Sequence, residues 1–298
     1  MKIAILSQND ALYSTQRLKK SGEAQGHQIE IINYLSCLAN ITSHSPHILY
    51  KGKILEKFDA IIPRIGGIKS FYGTAIVRQF ELMGTFTPNN SQAIALSRNK
   101  LSSLQALARE GITIPKTGFV HDAQDIDSLI DSLGGPPLII KILEGSQGIG
   151  VILAENRQSA KSIIEAFQSS NINILIQEYI EEAKGSDVRC FIIDNKIVAS
   201  MQRQSPQAEF RSNLHRGGKA TKMKLTAKER SIALKSAKVL GLKLAGVDIL
   251  RSQNGPLVIE VNSSPGLKGI EKISGINLAD KIIQFIASQI IKNHKPIT

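Results

Sequence analysis

Two stretches near the C-terminal end decide how this chain is read: Ala245-Gly246-Val247-Asp248-Ile249-Leu250 and Leu257-Val258-Ile259-Glu260-Val261-Asn262. Both are apolar runs of strand length, joined by the short polar segment Ser252–Pro256, so they read as a β-hairpin. Glu260 and Asn262 are two apart and share a strand face. Pairing of the two runs brings Asp248 beside them. Two carboxylates and an amide oxygen are hard ligands, suited to magnesium or manganese held jointly with phosphate and ill suited to zinc. The plainer alternative is that each acid caps a loop or pairs with a surface lysine.

Upstream lies a second signal. Leu138-Ile139-Ile140-Lys141-Ile142 is an apolar strand with one lysine inside it, and it runs into the glycine-rich segment Gly145-Ser146-Gln147-Gly148-Ile149-Gly150. An ammonium in such a strand costs free energy unless it snorkels to solvent or meets an anion. A glycine loop offers backbone amides to phosphate oxygens. No Gly-Lys-Ser/Thr follows and the next element, Val151–Ala154, reads as a strand, so this is a hairpin flap and not a Walker A loop. Glu178-Tyr179 ends the strand Ile174–Glu178, where an adenine or ribose edge can be met. Asp187 and Arg189 share a face of the next strand. Arg203, Arg211 and Asn213 bracket the polar stretch Ser205–Lys219 and suit phosphate or carboxylate.

Farther out, the first ninety residues alternate strand and helix patterns: Lys2–Leu6, Thr15–Gln25, Ile29–Ile32, a hairpin at His47–Ile54, Asp59–Pro63 and Phe71–Met83. That alternation predicts an α/β domain with a parallel sheet. Ser7-Gln8-Asn9-Asp10 after the first strand holds no glycine, which excludes a Rossmann dinucleotide site. A helical pair over Gln92–Glu110, a strand at Lys116–Val120 and helices at Ile126–Leu133 and Ser159–Gln168 follow. Strands at Val188–Ile193 and Lys196–Met201 turn about Asp194-Asn195. Thr226 and Glu229 form a capping box for a helix to about Leu240, and a last helix spans Leu278–Ile291.

The chain has 298 residues, 42% hydrophobic and 21% charged, ordinary globular usage with room for about two domains. No run approaches a bilayer span, and the N-terminus lacks a signal-peptide core. Two cysteines support neither a disulfide framework nor a cysteine zinc site. The expectation is a soluble, cytoplasmic protein with no membrane partner. Thirty-seven basic against 25 acidic residues, a net charge of +12, point to an anionic partner. The six histidines form no metal set, no Gly-x-Ser-x-Gly elbow is present, and aromatics at 5% disfavour an RNA-stacking surface.

In order, Lys100, Lys141, Gly145–Gly150, Glu178-Tyr179, Arg211-Ser212-Asn213, Asp248 and Glu260-Val261-Asn262 resemble the ATP-grasp ligases. Within that family the chain is similar to the branch that adds L-glutamate to the C-terminus of a small-subunit ribosomal protein. The likeness includes Pro63-Arg64-Ile65-Gly66, Phe210-Arg211-Ser212-Asn213-Leu214-His215-Arg216-Gly217-Gly218 and Asn262-Ser263-Ser264-Pro265-Gly266-Leu267-Lys268-Gly269-Ile270-Glu271. It implies mixed α/β and α+β architecture: an N-terminal α/β domain over 1–90, then a two-lobed ATP-grasp domain with its central lobe over 91–185 and its metal-bearing lobe over 186–298.

The resemblance also implies roles. Lys100 and Lys141 contact ATP phosphates under the loop of Gly145, Ser146, Gln147 and Gly148. Glu178 and Tyr179 hold adenine, and Asp187 the ribose. Arg211, Ser212 and Asn213 line the nucleotide and acyl-phosphate site, and Arg203 steadies charge on the reacting carboxylate. Asp248, Glu260 and Asn262 hold two Mg2+ or Mn2+ ions. The partners implied are ATP, L-glutamate and the C-terminal tail of a ribosomal protein or a glutamate chain, acted on by a homo-oligomer, a tetramer. The chain departs from the family at Ala208-Glu209, where a glycine and an acid usually precede Phe-Arg. Two alternatives stay open at this point: a ligase of a small amino-acid or peptide substrate, and a basic ribosome- or RNA-binding module with a regulatory nucleotide site.

Overall fold

The structure is a computed structural model that describes residues 1–67, 69–120, 125–143, 150–206, 212 and 217–293. Its first part runs β1 (Lys2–Leu6), α1 (Tyr13–Ala24), β2 (Gln28–Ile32), β3 (Cys37–Asn40), β4 (His47–Tyr50), β5 (Lys53–Ile54), β6 (Ala60–Pro63) and α2 (Ser70–Leu82). Strands β2, β1 and β6 form a parallel sheet in that order, as the strand–helix alternation predicts. Strands β3, β4 and β5 form a separate antiparallel sheet. Helices α3 (Ser91–Arg98) and α4 (Lys100–Arg109) follow, each opened by an asparagine: Asn90 accepts from the Ala93 amide and Asn99 from the Ser102 amide.

The central lobe comprises β7 (Thr117–Val120), α5 (Ile126–Ser132), β8 (Leu138–Ile142), β9 (Val151–Ala154), α6 (Arg157–Ser169) and β10 (Ile174–Glu178). Its sheet order is β7-β10-β8-β9, antiparallel throughout. Leu138, Ile140, Ile174 and Ile176 point to one side and pack with Ile130, Ala160 and Ile164 in a core of their own. The alternate positions Ile139, Lys141, Leu175 and Gln177 therefore occupy the opposite face.

The last lobe is β11 (Ser186–Ile193), β12 (Lys196–Gln204), β13 (Lys219–Lys222), α7 (Ala227–Val239), β14 (Leu244–Ser252), β15 (Gly255–Asn262), α8 (Lys268–Ser274) and α9 (Leu278–Asn293). Its antiparallel sheet has the order β13-β12-β11-β14-β15. The Thr226–Glu229 capping box opens α7 as expected. One sheet face, with Val188, Cys190, Val247 and Val261, packs on α7 and α4. The apolar part of the other face, with Phe191 and Met201, meets Ile282, Ile283 and Ile286 of α9 and Ile3 and Ile5 of β1. This shared core ties the N-terminal domain to the last lobe. Asn89 adds a polar tie: its amide donates to the carbonyls of Leu244 (2.8 Å) and Ser263 (3.1 Å) and accepts from the amides of Lys243 (2.8 Å) and Leu244 (3.0 Å).

The structure departs from the sequence reading in several places. Strands β11 and β12 run on to Ser186 and Gln204 and pair Asp187 with Arg203. A strand pairing two buried opposite charges lacks the apolar alternation that marks a strand in sequence. Three elements, β3, β13 and α8, have no counterpart in that reading. The cysteines lie in different cores, and burial pushes both thiols up to about 12.

Candidate active site

The hairpin read from sequence is present as β14 and β15, and its register settles who faces whom. Asp248 stands opposite Glu260, and Gly246 opposite Asn262; a bulge after Asp248 shifts the pairing toward the turn. On the other side of β14, Asp248 is opposite Arg189, and across β11 Asp187 is opposite Arg203. One face of the sheet thus carries Arg203, Asp187, Arg189, Asp248, Glu260 and Asn262 in a row over β12, β11, β14 and β15. Gly246 keeps this row tight, since a Cβ there would lie 2.7 Å from Pro265 and 3.4 Å from the Arg189 side chain.

Asp248 is 2% exposed and Asp187 4%. Arg189 forks onto both Asp248 oxygens, and Arg203 Nη2 adds a contact to Oδ2 at 2.9 Å. Arg203 Nε donates to Asp187 Oδ1 at 2.7 Å, and Ser212 Oγ to Asp187 Oδ2 at 2.6 Å. Burial drives the Asp248 carboxyl upward, but Arg189 and Arg203 outweigh it and hold the group below the usual carboxylate range. Burial lowers Arg203, and Asp248 and Asp187 more than reverse this, leaving it raised. Arg203, expected at the reacting carboxylate, is thus set against two buried acids. The Asp187 oxygens, expected at a ribose, carry Arg203 and Ser212.

Glu260 is exposed, and Asn262 is half-buried. Among the described residues no three His, Cys, Asp or Glu side chains gather to hold a metal by themselves. The set fits magnesium all the same, because that ion takes one or two carboxylates and fills its octahedron with phosphate oxygens and water. Open Glu260 beside half-open Asn262 leaves room for those ligands.

On the central lobe, Lys141 donates to Gln177 Oε1 at 2.6 Å, and Gln177 in turn donates to Thr117 Oγ1 at 2.8 Å. Its side-chain partner is neutral. Burial pulls Lys141 down to about 8; the Glu260 charge pulls it back up and the Lys100 charge adds to the fall. Lys100 donates to the carbonyls of Leu143 (2.8 Å) and Ile142 (3.3 Å), and burial lowers it too, opposed by Glu260. The Lys141 ammonium, recessed beside a neutral partner, suits an anion, and the Glu260 charge acts on both lysines, as a triphosphate between cations and metal requires. Gly150, just before β9, has φ +70, and a Cβ there would lie 2.3 Å from Ile142.

Glu178 accepts from the Lys116 amide at 2.7 Å, which fixes its carboxylate at the end of β10; the Tyr179 amide donates to the Pro137 carbonyl at 3.2 Å. Gly145, Ser146, Gln147, Gly148, Arg211 and Asn213 lie outside the described residues. Sequence reading did not foresee the Arg189–Asp248 pair. The two are 59 residues apart and meet only because β14 inserts beside β11.

Two family models match consecutive parts of the chain: a RimK PreATP-grasp domain over residues 1–94 and a RimK-like ATP-grasp domain over residues 97–286. The chain belongs to the RimK-like ATP-grasp family. It is an ATP-grasp acid–amino-acid ligase, and ATP and magnesium are the cofactors of that fold. A probable alpha-L-glutamate ligase of Picosynechococcus is 61% identical over 286 residues, covering 96% of this chain and 95% of that one. One from Trichodesmium erythraeum is 59% identical, with 98% of each covered. One from Vibrio vulnificus is 57% identical, with 99% of this chain and 97% of that one covered. Among solved structures, the ATP-grasp ligase PsnB complexed with minimal precursor, Mg and ADP aligns with a TM-score of 0.74 at 17% identity, covering 97% of each chain. D-alanine–D-alanine ligase from Bacillus anthracis aligns at 0.70 and 18%, covering 98% of each. At those identities the likeness speaks for the fold alone. No described helix is long and apolar enough to cross a membrane.

Proposed function

We propose that this chain is an α-L-glutamate ligase that joins the amine of L-glutamate to the C-terminal carboxylate of a ribosomal-protein tail or a growing glutamate chain. The observation that carries the reading is the row Asp248–Glu260–Asn262 facing the recessed lysines Lys141 and Lys100. The names of the relatives supply the amino acid.

A carboxylate is a poor electrophile. In the proposed sequence the acceptor carboxylate oxygen attacks the γ-phosphorus of ATP, the bond to the β-phosphate oxygen breaks, and ADP leaves. The acyl phosphate is then attacked at carbon by the glutamate amine. The amide bond forms, the C–O bond to phosphate breaks, and the ammonium proton is lost to water. Lys141 and Lys100 hold the phosphates, and Glu178, Tyr179 and Asp187 form the nucleoside side of the cleft. Asp248, Glu260 and Asn262 would hold two divalent ions, magnesium or manganese, which supply neutralisation of phosphate charge. Arg203 holds Asp187 and Asp248 in place. Closure of the glycine segment Gly145, Ser146, Gln147 and Gly148 would exclude water, which otherwise hydrolyses the acyl phosphate, and Arg211, Ser212 and Asn213 would line the nucleotide and acyl-phosphate site. The excess basic charge suits acidic substrates, including an acidic tail.

The test is incubation of the protein with ATP, magnesium and L-glutamate, with and without a peptide ending in a ribosomal-protein C-terminal sequence. Mass spectrometry then reads the products. Glutamyl additions to the peptide, or a glutamate oligomer without it, with equal release of phosphate, support the reading. ATP turnover only with another amino acid contradicts it.

A further inference from the structure

Two arginines, Arg64 of the N-terminal domain and Arg98 at the end of α3, make no ion pair with a carboxylate among the described residues. Arg64 follows directly on β6, at the C-terminal end of the parallel strands β1 and β6, where its amide donates to the Leu6 carbonyl at 2.9 Å. Ligands of open parallel sheets bind at that end. Arg98 closes α3. Arg64 Nη2 donates to the Pro265 carbonyl at 2.9 Å, three residues beyond Asn262, and Arg98 Nη2 donates to the Ile65 carbonyl. Among the described residues no carboxylate is ion-paired with either. Arg98 Nε is buried with no hydrogen-bond partner.

A guanidinium has five N–H donors in a rigid fork. A single bond to a neutral carbonyl leaves most of that capacity, and all of the charge, unanswered. Burial, and then the charge of Arg98, bring Arg64 down to about 10. Burial also lowers Arg98, with the Glu260 charge opposing. If the pair served only to staple the domains through Pro265 and Ile65, a neutral donor would do so without the cost of two recessed like charges.

The framework around the pair is rigid. Tyr34, fully buried, accepts from the Gly66 amide at 3.3 Å and from Gln8 through its hydroxyl. Gly73 lets α2 press on the same segment, since a Cβ there would lie 2.5 Å from Ile65 Cγ2. The segment that carries Arg64 and anchors Arg98 is thereby fixed from two sides.

We propose that Arg64 and Arg98 form a carboxylate clamp for the acidic substrate, binding a non-reacting carboxylate of the incoming amino acid or of the acceptor tail. In the proposed function Lys100 and Lys141 are taken up by the phosphates, and the planar fork of each arginine matches a carboxylate. The clamp rests on the reading that the substrate is glutamate.

The test is steady-state kinetics of the wild type, Arg64→Lys and Arg98→Lys at saturating ATP, with L-glutamate, L-glutamine and L-glutamate α-amide as amine donors and the acceptor peptide varied separately. The lysine variants keep the charge and lose the fork. The expected result is a rise of about tenfold or more in KM for L-glutamate or for the acceptor, with KM for ATP within about twofold of wild type. A donor clamp shows as loss of one amide by the wild type and no further loss on that amide in the variants. An acceptor clamp moves only the peptide KM. A wild type that ligates glutamate while neither variant moves either KM overturns the clamp and leaves the functional reading standing. A rise in KM for ATP equal to the others also overturns it, as a phosphate contact. Variants that do not fold leave the wild-type arm to decide: full use of both amides and of an acceptor with its other carboxylates amidated overturns the clamp. A wild type that neither ligates nor binds L-glutamate overturns both.

Discussion

Asp248 and Glu260 stand directly opposite each other in the β14–β15 ladder, one 2% exposed and held by two arginines, the other open to solvent. The unlike surroundings divide the labour. Of the proposed ion-holding acids, Asp248 is the one fixed in the sheet, and Glu260 is the open one, which also acts on the lysines Lys141 and Lys100. Glu260→Gln is therefore expected to lower kcat by about 100-fold or more through loss of metal affinity, with little change in melting temperature. Magnesium titration of activity and thermal unfolding check the two halves of this statement.

Lys141 gives the protein an alkaline limit. Its charged form holds phosphate, and burial brings its pKa in the free protein down to about 8. KM for ATP is expected to be flat below that pH and to rise above it. Removal of the Glu260 charge, which pulls Lys141 upward, shifts the inflection to lower pH in Glu260→Gln. The folded-state value lies below the unfolded one, so the charged amine destabilises the fold below about pH 8, and the penalty fades as pH climbs toward 10.5. Lys141→Met is then expected to melt a few degrees higher than wild type at pH 7 and to lose ATP turnover. A pH series of melting curves reads the first effect.

Arg203 stands between Asp187 and Asp248, all three nearly fully buried. Its removal leaves two buried carboxylates short of a partner. Arg203→Met is expected to cost about 3–5 kcal/mol in urea unfolding. Asp187→Asn in the same background is expected to recover part of that loss, which a double-mutant cycle measures.

Gly246→Ala is expected to cost about 1–3 kcal/mol, because the new methyl meets Pro265 at 2.7 Å. The shift falls on the segment after Asn262, so kcat is expected to fall in a variant that still binds ATP. Nucleotide binding measured beside turnover separates the two.

Much of this site is legible along the chain because its parts are local. The β14–β15 pair is a hairpin of two apolar runs, so Glu260 and Asn262 fall on one face from spacing, and the pairing of the runs brings Asp248 beside them. Lys141 is marked by the isoleucines around it. What cannot be read is set by pairing at a distance. Arg189 meets Asp248 only through the β11–β14 contact, and Asp187 with Arg203 hides two strand ends behind charge. The edge strand β13 (Lys219–Lys222) is mostly polar, and β3 packs only the small side chains Cys37 and Ala39 into the core while Leu38 is more than half exposed, so neither shows the apolar pattern of a strand. Helix α8 has no side-chain cap to announce it. Arg64 and Arg98 are 34 positions apart and become a pair only when α3 packs beside the end of β6.

The central claim, an acyl phosphate made from a carboxylate, is tested most directly by isotope transfer. The acceptor peptide is prepared with heavy oxygen in its C-terminal carboxylate and incubated with ATP, magnesium and L-glutamate. One heavy oxygen in the released inorganic phosphate for each amide bond formed is the predicted result. Unlabelled phosphate alongside new amide, or label appearing in AMP, contradicts the account.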